Sequence, residues 1–437
     1  MGKYHLIGIK GTGMAALAGV LSSLGHEVTG SDVSEVFFTD DILKNLNVKI
    51  EKFNKKNITK DKIYIISKAY DENHIEVKEI KKRNYKHYYY QEFIEEFFNC
   101  FKVGISGTHG KTTTTKLLST LLKDEKICSI VGDGTGFGES DYKYLIFEAC
   151  EYKNNFLKFN FDYLVINNID FDHPDFFVNI DDTFNSFQKA ADKSKVVIVN
   201  NDCPYASKIK HEKKYTFGFN KKSDVYCEVI RKYKERSLIV LTVFSKKHFI
   251  NVPFTEGYML SNFMASVLVY SLLGKNINNL EKVVSDYKLP NRRMQIYKYN
   301  SNIIVDDYSH HPTEIKKCLE TIKYRFYNKQ IYVVFQPHTY TRTINLKDEF
   351  VECFSDINNK YICKTFTSKR EKKSFILEKK VKSIFSGFEK YSYRKIKKIL
   401  NESKDIVVVY MGAGNIRKDF LKIISENTWD NFHCVVK

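Results

Sequence analysis

Short apolar runs alternate along the chain with amphipathic stretches, the pattern of an α/β protein built on parallel sheets. Tyr4–Ile9 reads as a strand, Met14–Leu24 as a helix closed by Gly25, and His26–Thr29 as a second strand. Ile63–Ser67 is a further strand, followed by a polar helix and a Tyr/Phe-rich stretch, Tyr88–Phe98, suited to core or interdomain packing. A new strand–loop–helix unit opens at Phe101–Ser106, with strands following at Tyr144–Phe147, Tyr163–Ile166 and Val196–Val199. Ser237–Phe244 reads as a β-rich excursion and Leu260–Leu273 as a helix. Leu289-Pro290-Asn291 interrupts the pattern before a third set: Ile303–Val305, a helix from Thr313, Tyr332–Phe335 and Ile406–Tyr410. A length of 437 residues allows two to four domains, at roughly 100–200 residues each. The breaks predict three, over 1–99, 100–290 and 291–437.

Composition narrows the class. With 43% hydrophobic residues, 33 Phe and 29 Tyr, the chain has ample material for several cores and is not a disordered protein. No long uncharged apolar run occurs, and the amino terminus enters a strand at once, so neither a membrane span nor a signal peptide is expected. Nine cysteines are scattered without a Cys-x-x-Cys pair. That spacing suits reduced thiols and a cytoplasmic location rather than disulfides or zinc. The net charge of +18 raises the question of a polyanion, but the basic residues recur in short runs such as Lys81-Lys82-Arg83 and Lys369-Arg370-Glu371-Lys372-Lys373. Lys, Asn, Ile, Tyr and Phe are plentiful together and share A/T-rich codons. Solvated faces and coding bias explain the charge better than nucleic acid, and no membrane partner is expected.

The strongest chemical signal is Gly104-Ile105-Ser106-Gly107-Thr108-His109-Gly110-Lys111-Thr112-Thr113, between a strand and a helix. Glycines let backbone N–H groups approach phosphate oxygens, Lys111 neutralises charge, and the Thr112 hydroxyl can hold Mg²⁺. Downstream, Glu148 closes one strand, and Asn167-Asn168-Ile169-Asp170-Phe171-Asp172-His173 closes the next. Carboxylates there suit Mg²⁺, and the imidazole of His173 can complete a second ion's shell. The loop Gly8-Ile9-Lys10-Gly11-Thr12-Gly13 is not a dinucleotide fingerprint, and on its own it fits diphosphate binding and a plain tight turn equally well.

Taken together, these segments resemble the Mur ligase family, the ATP-dependent amide-forming enzymes of peptidoglycan precursor synthesis. The resemblance rests on Gly107–Thr113, on Asn168-Ile169-Asp170-Phe171-Asp172-His173, and on Pro290-Asn291-Arg292-Arg293-Met294-Gln295. It rests further on Val305-Asp306-Asp307-Tyr308-Ser309-His310-His311-Pro312-Thr313-Glu314 and Phe335-Gln336-Pro337-His338-Thr339-Tyr340-Thr341-Arg342, with Arg370-Glu371 and Met411-Gly412-Ala413-Gly414-Asn415-Ile416 in the expected order. It covers the whole chain and is nearest to the member that adds the first amino acid. It implies three α/β domains: a Rossmann-like amino-terminal domain for a UDP substrate, a central P-loop ATPase-type domain, and a Rossmann-like carboxy-terminal domain that closes on ATP and the amino acid.

The implied reaction joins L-alanine to the carboxylate of UDP-N-acetylmuramate, with ATP and Mg²⁺, in cell-wall synthesis linked to cell shape and division. A murein-peptide recycling ligase and a non-catalytic nucleotide-binding homologue are the alternatives. The resemblance places Gly107, Thr108, His109, Gly110, Lys111, Thr112, Thr113, Asn262, Arg293 and Asp307 at ATP. It places Gly11, Thr12, Gly13, Asp32 and Ser67 at the UDP moiety. Thr112, Glu148 and His173 would ligate metal, His310 or His311 would orient substrate, and His338 and Arg342 would face the muramyl carboxylate or the amino acid. Lys111, Arg292, Arg293 and Arg342 are the cations expected to meet anionic substrates. Small molecules are the expected partners of a monomer or homodimer whose third domain closes during turnover. Three departures stand out: Thr339 replaces a common Arg, Tyr258 a usual His, and Cys150-Glu151-Tyr152 the commoner Asp-Glu-Ser.

Overall fold

A computed structural model describes residues 1–233, 235–299, 301–367, 371–425 and 430–432. Lys369 and Arg370, named above, and Cys434, the last of the nine cysteines, lie outside the described residues. The α/β expectation holds, with three sheets in three successive stretches of chain.

The first sheet has five parallel strands in the order Lys49–Lys52, Glu27–Asp32, Lys3–Ile7, Ile63–Ile66, His87–Tyr89. This is half of a doubly wound sheet, in which ligands bind beyond the carboxyl ends of the strands. The helix Thr12–Ser23 is apolar nearly all round and is accordingly buried from Met14 to Leu21. The Tyr/Phe-rich stretch becomes a short strand and the helix Tyr90–Phe97. Phe93 stacks on Phe97, and Tyr4 meets both rings edge-on.

The second sheet has ten strands. Its centre is parallel, with Phe101–Ser106 between Tyr163–Ile166 and Tyr144–Glu148. One edge is an antiparallel meander, Val225–Lys232, Ser237–Val243 and Lys246–Val252. Only its middle strand has an uninterrupted apolar run; Glu228 interrupts the apolar residues of Val225–Lys232, and Lys246–Val252 opens on Lys-Lys-His. Helices Lys111–Leu121 and Gly257–Leu272 pack against each other, and Ser266 Oγ donates to the Thr114 carbonyl at 3.4 Å.

The third sheet has seven strands. Asn302–Asp307, Ile406–Met411 and Gln330–Phe335 are parallel neighbours, and Gln295–Tyr299 runs antiparallel at Asn302–Asp307. Its core is formed by Ile304, Val334, Val408, Tyr410, Ile396 and Phe420.

By compactness the chain forms two units. One comprises Met1–Phe171, Ile180–Lys232 and Arg236–Tyr287; the other Asp172–Asn179, Tyr233–Glu235 and Lys288–Lys437. The first two sheets fall in one unit because they share a continuous apolar core, from Leu6 and Leu17 through Phe98 to Phe147 and Phe161. Their contact is glycine-dependent. A Cβ on Gly136 would lie 2.0 Å from the Ala16 carbonyl oxygen, and one on Gly19 would lie 2.4 Å from that of Gly136. Among the described residues the eight cysteines form no disulfide. Among the described residues no helix is long and apolar enough to cross a membrane.

Candidate active site

In the first unit the glycine-rich loop after Phe101–Ser106 turns through Gly107 (φ 129°) and Gly110 (φ 82°), left-handed conformations that favour glycine. Gly110 then caps the helix Lys111–Leu121, whose N-terminal end carries partial positive charge. The loop is held from behind by the next strand end. The His109 N–H donates to Asn168 Oδ1 at 2.8 Å, the Asp170 N–H to Thr108 Oγ1 at 2.9 Å, and Asn167 Nδ2 to Thr114 Oγ1 at 2.9 Å. His109 Nε2 lies 3.4 Å from Asp170 Oδ2. Asn262, from the helix Gly257–Leu272, closes the far side: a Cβ on Gly110 would sit 2.7 Å from its Oδ1.

The Lys111 ammonium donates to the Gly107 and Thr108 carbonyls and pairs with both oxygens of Glu151, at 3.0 and 3.2 Å. Glu151 is buried. Burial alone would lower the Lys111 pKa, but the Glu151, Cys150 and Glu148 charges outweigh it and hold the ammonium above its ordinary range. In the sequence Glu151 stands only within the departure Cys150-Glu151-Tyr152, with no role implied. Its signal was a second carboxylate three residues beyond Glu148, too general to single out.

Glu148 is bonded to the Thr112 hydroxyl and accepts the Gly132 N–H at 2.6 Å. A Cβ on Gly132 would lie 2.2 Å from Glu148 Oε1, so any larger residue there would push that carboxylate aside. Burial pushes the Glu148 carboxyl above its ordinary pKa, because Lys111, Thr112 and the Gly132 amide do not fully compensate its charge. A half-buried, under-compensated carboxylate beside a hydroxyl is a hard oxygen donor set that fits Mg²⁺. Of the three expected metal ligands, Thr112 and Glu148 are therefore brought together. His173 belongs to the other compact unit.

The amino-terminal loop is also a built feature. Gly8 takes φ 80°, the Gly11 N–H returns to the Gly8 carbonyl at 3.2 Å, and the helix begins at Thr12 and Gly13. Asp32 accepts the Lys10 amide at 2.8 Å, the Val33 amide at 2.7 Å and the Tyr70 hydroxyl at 3.2 Å. Ser67 lies alongside, with its Cβ 2.9 Å from where a Cβ on Gly8 would sit. Lys10 stands inside the loop motif with no role that its position there implies, and Tyr70 has no motif of its own.

In the second unit Asp172 takes the guanidinium fork of Arg342, and both residues are buried. Arg342 Nη1 also donates to His338 Nδ1 at 3.1 Å, and the His338 ring stacks on Phe366 with centroids 5.8 Å apart. His310 meets His338 edge-on at 5.3 Å. Burial, reinforced by the Arg342 charge, lowers the His310 pKa to about 3, so it is neutral at physiological pH. His311 caps the helix Pro312–Arg325 by accepting the Thr313 N–H. His173 has φ 56°, with its Nε2 3.8 Å from Asp172 Oδ2.

Asp307 is buried and accepts the Met294 and Ser309 amides, each at 2.8 Å, which closes the junction turn. Arg293 pairs with Glu314 at 3.2 Å and lies over the Tyr308 ring. Arg292 corrects an expectation. It is among the largest fully buried side chains, 3.7 Å from Asp306 and bonded to the Gly412 carbonyl, and so is not placed to meet a substrate anion. The sequence alone gives no hint of this, because burial of one arginine in a pair is decided by the turn. Glu371 accepts the Tyr340 and Thr341 amides at 2.6 and 2.9 Å and thereby fixes the start of the helix carrying Arg342.

Three family patterns match in chain order: "Mur ligase family, catalytic domain" over 3–102, "Mur ligase middle domain" over 105–270, and "Mur ligase, glutamate ligase domain" over 292–414. Among solved structures, the fold is similar to a UDP-N-acetylmuramate–alanine ligase from Thermotoga maritima, with TM-score 0.80, 21% identity, and 97% of this chain and 98% of that one covered. It is also similar to a murein peptide ligase from Psychrobacter arcticus, with TM-score 0.73, 16% identity, and coverage of 97% and 98%. A third is a pseudomurein peptide ligase type C from Methanothermus fervidus, with TM-score 0.64, 18% identity, and coverage of 98% and 100%. With its built phosphate loop and all three domain patterns in order, the chain belongs to the Mur ligase family.

Proposed function

We propose that the protein is an ATP-dependent ligase that joins L-alanine to the carboxylate of UDP-N-acetylmuramate through an acyl phosphate, releasing ADP and phosphate. The observation that carries this reading is the pairing of Lys111 and Thr112, at a glycine-capped helix N-terminus, with Glu151 and Glu148. Such a constellation suits transfer of a phosphoryl group to an anionic acceptor. In this reading residues 1–99 hold the UDP substrate, 100–290 hold ATP, and 291–437 serve the amino acid and the closing of the site. The protein would act in the cytoplasm as a monomer or homodimer.

The physical difficulty is to bring a γ-phosphate and a carboxylate together against their repulsion, then to exclude water while an amine attacks. The backbone amides from Gly107 to Lys111 cradle the phosphates, and Lys111 exchanges part of its contact with Glu151 for phosphate oxygens. Thr112 and Glu148 would hold Mg²⁺, with His173 serving a second ion; the metal would supply charge neutralisation at the phosphates. Asn262, Arg293 and Asp307 serve the nucleotide. Gly11, Thr12, Gly13, Asp32 and Ser67 bind the UDP moiety. Neutral His310, or His311, orients substrate; His338 faces the carboxylate or the amino acid, and Arg342, whose fork is taken by Asp172, holds the His338 ring in place.

The test is release of phosphate by the purified chain given UDP-N-acetylmuramate, MgATP and alanine, serine, glycine or a murein tripeptide, with the product identified by mass. Turnover with alanine supports the reading. Turnover with the tripeptide alone makes the protein a recycling ligase, and no turnover with any of them sinks both.

A further inference from the structure

The two glycine-rich loops of the first unit are joined by side chains to which neither loop's motif assigns a role. Lys10, inside the amino-terminal loop, is buried, and its ammonium pairs with Asp40 at 2.9 Å and donates to the Glu35 carbonyl at 2.8 Å. The Thr39 hydroxyl donates back to the Lys10 carbonyl at 2.6 Å. Segment 35–40 is thus tied to the loop at three points, and it leads into the short helix Thr39–Asn45. The other side of that helix start rests on the central sheet. Gly134, in the left-handed region at φ 87°, leaves no room for a side chain, since a Cβ there would lie 2.9 Å from Thr39 Cγ2 and 3.1 Å from Ile42 Cδ1. Two residues earlier, the Gly132 amide holds Glu148, and between them Asp133 lies 3.7 Å from Lys116 on the phosphate-loop helix. A continuous set of contacts therefore runs from Lys10 through Thr39 and Gly134 to Glu148.

We propose that Lys10 is a positioning residue that couples the two nucleotide sites: by fixing segment 35–40 between the loops, it makes binding at one favour binding at the other. The inference rests on the assignment above of UDP to the first loop and ATP to the second. The physical basis is shared ordering. Either ligand stabilises its own loop only in the arrangement that seats Thr39 on Gly134, so the second ligand meets a segment already ordered by the first. Contiguity alone does not establish coupling, and reciprocity of affinities does.

The measurement is calorimetric titration of the full chain with UDP-N-acetylmuramate, with and without a non-hydrolysable ATP analogue and Mg²⁺, followed by the reverse order. In the native protein each ligand should tighten the other by the same factor, about fivefold or more. Lys10→Ala and Asp40→Asn should bring that factor to about one, with each ligand's separate affinity reduced less than the coupling. Lys10→Arg should restore it. Parallel KM and kcat values should show KM for the UDP-sugar losing its dependence on ATP while kcat at saturation falls little; a merely structural role would lower stability and both parameters together. Native protein that binds both ligands independently, or variants with undiminished coupling, would overturn the proposal. Native protein that binds no UDP-sugar overturns the functional reading instead, so the two failures are distinguishable.

Discussion

Asp172 and Arg342 form a two-pronged ion pair, Nε to Oδ1 at 2.8 Å and Nη2 to Oδ2 at 3.1 Å, across 170 positions of sequence. It ties the short segment Asp172–Asn179 to the carboxy-terminal sheet's unit. The guanidinium expected to meet a substrate carboxylate is thereby held by a carboxylate of the chain itself. A planar fork is required, because lysine presents a point charge and cannot match both oxygens.

Asp172→Asn should therefore destabilise the carboxy-terminal unit by about 3–5 kcal/mol, as expected for a buried pair stripped of one partner. Arg342→Lys should destabilise it as well, since a point charge cannot match both oxygens of Asp172. Urea unfolding followed by a probe in that unit measures both. The pH dependence has a definite sign. Burial would raise the Asp172 carboxyl, but Arg342, His173 and His311 hold it well below the ordinary carboxylate range. Its stabilisation is thus complete above the unfolded pKa and lost as pH falls through the lower folded one. Asp172→Asn should flatten that acid loss.

His310 acts in the same direction at higher pH. Its pKa is lowered to about 3 from an ordinary 6.5, so the unfolded chain binds the extra proton between those values. Stability from neutral His310 is fully present above pH 6.5 and declines as pH falls toward 3. Replacing His310 with Asn should remove that part of the slope in unfolding titrations. An activity limb near pH 6.5 that survives the replacement belongs to another group.

Lys111→Met should abolish ligation and strand Glu151 in a buried site. The single variant is expected to lose about 3–5 kcal/mol of stability. The double variant Lys111→Met/Glu151→Gln should recover most of it while remaining inactive. Thermal unfolding and phosphate release separate the two effects; equal stability of single and double variants would remove Glu151 as the partner that matters.

Removal of Mg²⁺ by a chelator should stop turnover reversibly. Because burial raises the Glu148 carboxyl, proton competition should weaken Mg²⁺ binding at a pH above the ordinary carboxylate range. Glu148→Gln should lower affinity at every pH and abolish the trend. Calorimetric Mg²⁺ titrations between pH 5 and 8 in the presence of an ATP analogue test this.

Gly136→Ala should destabilise the first unit by about 1–3 kcal/mol, the usual cost of overpacking. Its Cβ would meet the Ala16 backbone, which cannot rotate away. Gly25→Ala has open space around its Cβ and pays only for its positive φ, so it should cost less. Denaturant midpoints of the two variants give the comparison.

Much of the fold was legible because α/β chemistry is local. Ile63–Ile66, Phe101–Ser106, Tyr163–Ile166 and the helix from Lys111 fell within a residue or two of the reading. Apolar runs between turn residues need no tertiary knowledge to recognise. The meander Val225–Val252 was only half legible, since Glu228 breaks the apolar run of one outer strand and Lys246-Lys247-His248 opens the other, and both are completed by their neighbour.

By itself, then, the sequence determined the three α/β sets, the phosphate loop, the order of the motifs and hence the family. These depend on residue type and spacing, which determine what the backbone can do. Tertiary structure alone decided which charges face one another. Glu151 holds Lys111, Asp172 holds Arg342, Asp306 lies beside Arg292 at the base of the junction turn, and Lys10 reaches Asp40 rather than solvent. The physical reason is that a buried charge is tolerable only beside a partner, and that partner is brought close by chain crossings between distant segments, which no spacing along the sequence records.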